Sequence, residues 1–402
     1  MAKTRRFRTL DELDVGGRRV LLRVDLNVPV DDDHMVTDDT RIQRLVPTLT
    51  ELAERGARTI LMSHFGRPKG RRNEEMSLRF LAMPLSQVLD GADIAVVGDC
   101  VGAGAEAAVA SLRPGAYALL ENLRFHPGEE ANDDAFADKL ARLGDVYVND
   151  AFSVSHRAHA SVVGLPARLP HAAGRLMQEE LDALEKALGD PERPVMAIVG
   201  GAKVSTKLAL LGNLIEKVDI LAIGGGMANT FLNAQGVDVG RSLHEADMAR
   251  EALAILSKAD SAACEIILPV DAAVRAAPDS TDPPRTVMID SVPTDAMILD
   301  IGPDTTDLID NRIPDCRTVI WNGPVGLFET PPFDTATVML ARTTAAMTRS
   351  GALISVAGGG DTVAALVHAG AEAGFSYVST AGGAFLEWLE GRPLPGVVAL
   401  EG

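Results

Sequence analysis

At 402 residues the chain exceeds the size at which one hydrophobic core stops growing, so two domains are expected. Its composition, 47% hydrophobic and 23% charged, is that of an ordinary globular protein, and a net charge of −18 argues against nonspecific binding to nucleic acid or anionic membrane. Three cysteines, Cys100, Cys264 and Cys316, are far apart in sequence and suggest neither a disulfide framework nor a metal site, which fits a reducing compartment.

The opening MAKTRRFRTL is basic but has no apolar core, so no signal segment is expected. No apolar run approaches the length of a membrane span, and a cytoplasmic location follows as the expectation. Thereafter the chain repeats one pattern: a short apolar run, a turn with Gly or Asn, then helical spacing. The runs in the first half are RVLLRV (19–24), RTILMS (58–63), DIAVVG (93–98), AYALLE (116–121) and DVYVND (145–150). Between the halves, QEELDALEKALGDPERP (178–194) places Leu181, Leu184 and Leu188 at helical spacing and ends at Gly189 and Pro191. It reads as a helix linking two domains, with a crossover helix inside one large sheet as the alternative. The second half continues with VMAIVGG (195–201), DILAIGGG (219–226), CEIILPV (264–270), MILDIG (297–302), TVIWNG (318–323) and ALISVAGGG (352–360). Val/Ile/Leu runs alternating with helices predict parallel strands buried on both faces. The expected fold is therefore α/β, with two doubly wound parallel-sheet domains joined by a linking helix. Expected boundaries are 1–175, 176–189 for the helix, 190–385, and a C-terminal segment 386–402. The tail's LPGVVAL (394–400) is apolar without a sequence neighbour to cover it, so it should dock elsewhere.

Ligands of such sheets bind beyond the carboxyl ends of the strands. In the first half those ends deliver Asp25, Leu26 and Asn27; His64, Phe65, Gly66 and Arg67; Asn122 and Arg124; and His156, Arg157 and His159, with Arg41 in TDDTRI (37–42) nearby. Guanidinium groups hold carboxylate and phosphate by paired hydrogen bonds, so the set suits a small, multiply anionic organic ligand. Any one of these arginines could be a solvated surface residue, and either histidine could be structural. Two other motifs fail. Gly102, Gly104 and Ala107 match a dinucleotide pattern but start several residues after the apolar run, and DDDHMVTDD (31–39) lacks the glycine and glutamate of a calcium loop.

In the second half the post-strand turns are GGAK (200–203), GGGM (224–227), NGP (322–324) and GGGDT (358–362). Glycine lets backbone N–H groups approach a ligand, and a helix start favours an anion, so several such turns suit a nucleotide. Tight strand–helix packing is the alternative for each. Asp361 is a candidate Mg²⁺ ligand or an N-cap. Only 8 of 38 basic residues are lysine, yet Lys203 and Lys207 fall four apart behind GGA, which predicts both on one helix face. A lysine is a compact, mobile point charge, suited to a phosphate that moves during reaction.

RVDLNVP, SHFGRP, LENLRF, SHRAHAS, GGAKVSTK, GGGMANTF, WNGPVGLFE and GGGDT, in this order, closely resemble the signature segments of the phosphoglycerate kinases over nearly the whole chain, about Arg23 to Gly383. The resemblance implies reversible phosphoryl transfer between 1,3-bisphosphoglycerate and Mg-ADP, giving 3-phosphoglycerate and Mg-ATP. It implies a monomer with two similar-sized domains around an interdomain cleft and the C-terminal segment packed on the first domain; because Arg41 and Lys207 belong to separate domains, domain closure is expected for reaction. By motif match, Asp25, Leu26, Asn27, Arg41, His64, Phe65, Gly66, Arg67, Arg124 and Arg157 would bind phosphoglycerate. Lys207, Gly224, Gly225, Glu329, Gly358, Gly359, Gly360, Asp361 and Thr362 would bind nucleotide, with Asp361 on Mg²⁺ and Arg41, Lys203 and Lys207 catalytic. Thr206 departs from the Asp common at that place. Rival readings are an NAD-dependent dehydrogenase and a non-catalytic two-domain protein binding anionic metabolites.

Overall fold

The computed structural model describes residues 7–401; the basic opening of MAKTRRFRTL, residues 1–6, lies outside them. The chain divides into two compact units. Unit 1 contains the described residues up to Leu181 and those from Pro393 onward, and unit 2 is Asp182–Arg392.

Unit 1 is built on a six-stranded parallel sheet: β1 Arg19–Arg23, β2 Arg58–Met62, β3 Ile94–Val96, β4 Tyr117–Leu119, β5 Val146–Asn149 and β6 His171–Ala173, in the order β3-β4-β2-β1-β5-β6. Leu22, Leu61, Leu119 and Val148 are fully buried, as Val/Leu-rich strands covered on both faces must be. The chain winds from β1 toward β2 and then crosses back to β5. Strand order thus reverses between β1 and β5, where a crevice opens at the carboxyl ends. The tail also belongs to this unit. Leu394 and Leu400 are buried, the Gly396 N–H donates to Ser155 O at 2.8 Å, and any side chain at Gly396 would strike Val162 and Ser155.

Unit 2 repeats the plan with β7 Val195–Val199, β8 Ile220–Ile223, β9 Glu265–Ile267, β13 Thr318–Asn322, β14 Ile354–Gly358 and β15 Tyr377–Ser379, ordered β15-β14-β13-β7-β8-β9 and parallel throughout. Its order reverses between β7 and β13. One predicted strand lies elsewhere. MILDIG forms β12 (Met297–Ile301) in a separate three-stranded antiparallel sheet with β10 (Asp271–Arg275) and β11 (Arg285–Met288). Its partners, DAAVR and RTVM, lack continuous large apolar residues, and Ala272 and Val274 form a small cluster of their own with Val292 and Ala296.

The helix Arg175–Leu184 contains the division between the units and continues as a wider turn over Glu185–Gly189. Its start is fixed by Asp150, a fully buried carboxylate that accepts the Met177 N–H at 2.9 Å; burial pushes this carboxyl up to about 6. Among the described residues no helix is long and apolar enough to cross a membrane.

Candidate active site

At the β1/β5 reversal in unit 1, the turn after β1 carries Asp25, Leu26 and Asn27. Arg41 donates from Nη1 to Asp25 Oδ2 at 2.7 Å and to Asn27 O at 2.9 Å. The turn after β5 supplies Ser153, whose hydroxyl donates to the same Asp25 oxygen at 2.5 Å. Asn27 Oδ1 accepts the Gly66 N–H at 2.9 Å, and the buried Leu26 gives its N–H to Ser63 Oγ. Gly66 O in turn accepts from Arg124 Nη1 at 2.9 Å, while Phe65 O accepts from Asn122 Nδ2 at 2.8 Å and the Phe65 ring sets its edge against Phe80. Thus the turns after β1, β2, β4 and β5 are tied together, and backbone strands set the spacing of the side chains.

Behind them lies Arg23, in β1 and wholly buried. It donates to Ser161 Oγ at 3.0 Å and to Val24 O, and its Nη2 stands 3.2 Å from His64 Nδ1. Ser161 gives both its hydroxyl and its N–H to Glu129, another fully buried residue. Burial raises the Glu129 carboxyl above its ordinary range, opposed by the Arg23 charge. Burial and the field of Arg23 and Arg124 hold His64 well below the usual imidazole range. His159 falls to about 4, by burial first and then Arg124 and Arg23. The result is a crevice of permanent guanidinium charges and neutral imidazoles, complementary to an anion that brings charge with it. Burial is also what lowers Arg124. Arg67 and Arg157 stand exposed, free to swing toward a ligand, and Arg157 lies in the field of His159 and Arg124.

Arg23, Ser153 and Glu129 escaped the sequence reading. An arginine inside an apolar strand was a usable signal for Arg23; the others make sense only once the turns are juxtaposed.

At the β7/β13 reversal in unit 2, two glycine turns interlock. The Gly200 N–H donates to Asn322 O at 3.0 Å, and a Cβ on Gly200 would fall 1.8 Å from Pro324 O. Gly323 has φ +96° and passes so close to Gly200 that a Cβ would sit 2.4 Å from its carbonyl oxygen. Only glycine satisfies both demands. Lys207 crosses this junction. Its Nζ donates to Gly200 O at 2.5 Å, Asn322 Oδ1 at 2.7 Å and Asn322 O at 3.2 Å, and burial lowers the ammonium to about 8, partly offset by Asp361.

The lysines do not share a helix face as their spacing predicts. The helix here is Leu208–Leu214, and both lysines precede it in a tight turn closed by the Lys207 N–H to Val204 O at 2.8 Å. Buried Val204 pins the turn, so Lys203 projects to solvent while Lys207 folds inward. Thr206 closes it further, donating its hydroxyl to Lys203 O at 2.9 Å.

A cleft of about 340 Å³ opens beside this junction, lined by Gly201, Gly225, Gly226, Pro324, Glu329 and Asp361 among others. The helices Gly225–Ala234 and Gly360–His368 begin there, and their dipoles favour phosphate; in the first, Gly225 N–H already donates to Val325 O at 2.8 Å and Met227 N–H to Gly201 O at 2.9 Å. Gly224 and Gly358 instead pack, against Val325 and the Phe385 ring respectively. Thr362 holds turns together: its hydroxyl donates to Gly358 O and accepts the Gly323 N–H at 2.7 Å. Gly359, with φ +105°, and exposed Gly360 lead into Asp361, also exposed. An exposed carboxylate at a helix start, lining this opening, has the hard oxygen donor chemistry that Mg²⁺ takes.

Comparison with known proteins settles the kinship. The family profile "Phosphoglycerate kinase" matches residues 10–392. This chain belongs to the phosphoglycerate kinase family. It is 61% identical over 396 residues to the phosphoglycerate kinase of Rhizorhabdus wittichii, covering 98% of this chain and 99% of that one, and 60% identical to that of Brucella abortus at 98% and 99% coverage. Among solved structures it resembles phosphoglycerate kinase from Coxiella burnetii (TM-score 0.91, 40% identity) and from Pyrococcus horikoshii (TM-score 0.78, 31% identity), each over 98% of both chains. As a phosphoglycerate kinase it is a glycolytic phosphotransferase, and its two parallel-sheet units are those of the family. The dinucleotide reading gains no support: Gly102 lies six residues beyond the end of β3, an edge strand.

Proposed function

We propose that unit 1 binds 3-phosphoglycerate or 1,3-bisphosphoglycerate and that unit 2 binds ADP or ATP, the transferred phosphoryl group being stabilised by Arg41 and Lys207. The observation that carries this reading is Lys207, a desolvated ammonium held on Gly200 O and Asn322 beside a nucleotide-sized cleft. Transfer to or from a carboxylate and a diphosphate needs no general base, because both acceptors are ionised at neutral pH. Catalysis then rests on positioning and charge stabilisation. Asp25 and Asn27 orient the substrate hydroxyl, Arg124, Arg157 and Arg67 take the anionic ends, and His64 donates a neutral hydrogen bond. Lys203 meets the phosphates from solvent, and Gly225, Glu329 and the Gly359–Asp361 turn border the nucleotide. Asp361 would hold Mg²⁺, which neutralises phosphate charge when bound. Domain closure, a monomeric state and a cytoplasmic location belong to the same proposal, on the family likeness alone.

The test is ATP formation from 1,3-bisphosphoglycerate and ADP, with Mg²⁺ and with excess chelator. Turnover that chelator abolishes is the expected result. Tight 3-phosphoglycerate binding without turnover would instead make the chain a binding protein.

A further inference from the structure

Asp99, Cys100 and His126 have no part in the reaction just described, and His126 is far in sequence from the adjacent Asp99 and Cys100. The turn after β3 carries Asp99 and Cys100; the segment after β4 ends in His126, which opens the helix Pro127–Glu130. Because β3 and β4 are neighbours, their carboxyl ends bring the three side chains together. His126 Nε2 lies 2.7 Å from Asp99 Oδ1, and one donor atom from each of the three residues falls within 4.8 Å of the other two. Among the described residues no other group of three or more His, Cys, Asp or Glu side chains converges so closely.

We infer that Asp99, Cys100 and His126 form a binding site for a zinc-type divalent cation, distinct from the nucleotide-associated Mg²⁺. The donor set is sulfur, imidazole nitrogen and a single carboxylate oxygen, which borderline cations such as Zn²⁺ take and Mg²⁺ does not. With metal–donor distances of about 2.0–2.3 Å, tetrahedral ligands stand roughly 3.2–3.8 Å apart, so small side-chain shifts convert the present contacts into coordination. The surroundings are built to hold the donors. The His126 ring stacks on Phe136 at 5.1 Å, the Cys100 N–H donates to Asp99 Oδ1 at 2.7 Å, and Arg72 ties down Gly98 O at 3.0 Å. Cys100 is fully buried whereas Asp99 and His126 are partly open, which leaves a rim for entry and a fourth position for water. Burial and the Asp99 charge hold the thiol proton on in the free protein. A bound cation would release that proton to solvent and offset the carboxylate. Occupancy would join the β3 and β4 turns two residues from Arg124.

The test uses the full chain, reduced, stripped with chelator and dialysed. Titration with Co²⁺ should give one equivalent per chain and a thiolate-to-cobalt charge-transfer band, discharged by Zn²⁺. Cys100→Ser should abolish the band, His126→Gln should weaken Co²⁺ binding at least about ten-fold, and Cys264→Ser should change neither. Kinase turnover at saturating substrate reports whether each variant is folded. No band in the parent chain, or a band surviving Cys100→Ser, would overturn the assignment. Should Cys100→Ser lose turnover through misfolding, His126→Gln and Asp99→Asn decide the matter, and undiminished Co²⁺ affinity in both would overturn it.

Discussion

Lys207→Met tests the site where its electrostatics are most exposed. The ammonium is lowered from 10.5 to about 8, by burial first. A base depressed in the folded state costs stability fully below the folded value, and that cost is relieved as pH rises toward the unfolded value. The difference between the two values corresponds to about 3 kcal/mol. Methionine fills the same volume and never titrates. The stability of the parent minus that of the variant should therefore rise between pH 7 and 9.5 by about 2 kcal/mol, although methionine also leaves the Gly200 and Asn322 oxygens without their donor. Subtracting the two chains cancels every other titration. Both tryptophans, Trp321 and Trp388, belong to unit 2, so urea unfolding followed by tryptophan fluorescence reads this unit by itself. Turnover of the variant should fall by at least about a hundredfold at every pH, as for other groups stabilising transition-state charge. A parent-minus-variant difference that stays flat with pH would refute the reasoning, because an ammonium so placed must feel the loss of solvent.

Arg157→Ala should weaken 3-phosphoglycerate binding about ten- to a hundredfold by calorimetry, whereas Lys207→Ala should leave it within about threefold; equal losses would sink the division of labour. Gly323→Ala places a Cβ at positive φ and 2.4 Å from Gly200 O. The urea midpoint read by tryptophan should drop by the equivalent of at least about 2 kcal/mol, and a change inside about 0.5 kcal/mol would contradict the geometry. His159, buried and lowered from 6.5 to about 4, makes unit 1 acid-sensitive. Its depressed value costs stability as pH falls from 6.5 to 4, about 3 kcal/mol in all, so His159→Gln should flatten that loss in hydrogen exchange of the β4–β6 peptides.

Much of this was legible in the chain because parallel α/β units announce themselves. RVLLRV, VMAIVGG and TVIWNG are continuous apolar runs ending in turns, and each became a central strand with its ligand-side residues directly after it. The antiparallel sheet was not legible, because DAAVR and RTVM carry neither the run nor the alternation that marks a strand. Lys207 shows a second limit. Four-residue spacing speaks for a helix face, yet one buried valine, Val204, turns the backbone before the helix begins and sends the two lysines in different directions. Arg23 shows a third: its role depends on His64 and Ser161, brought to it from 41 and 138 residues away.

On the proposed reading, the charge asymmetry of the chain gives unit 2, as the nucleotide side, a requirement that unit 1 lacks. Residues 1–175 hold 23 basic and 25 acidic residues, whereas residues 176–402 hold 15 and 31. On that reading, five guanidinium groups in unit 1, from Arg23, Arg41, Arg67, Arg124 and Arg157, serve the crevice. In unit 2 the half-buried Lys207 sits at the glycine junction beside the cleft, and Glu329 and Asp361 line that opening as carboxylates. Asp300 also lines it, but burial pushes that carboxyl up to about 8, so it is largely neutral at pH 7 and adds no repulsion. A bare nucleotide polyanion would, on the proposed reading, meet helix N-termini, the half-buried Lys207 and the solvent-exposed Lys203 against two carboxylates. With Mg²⁺ bound, Asp361 changes from a repelling charge into a ligand. On the proposed reading, chelator should weaken ADP binding at least about ten-fold while leaving 3-phosphoglycerate binding unchanged, both followed by calorimetry. Equal weakening of the two ligands would mean that the metal acts on the fold rather than on the nucleotide.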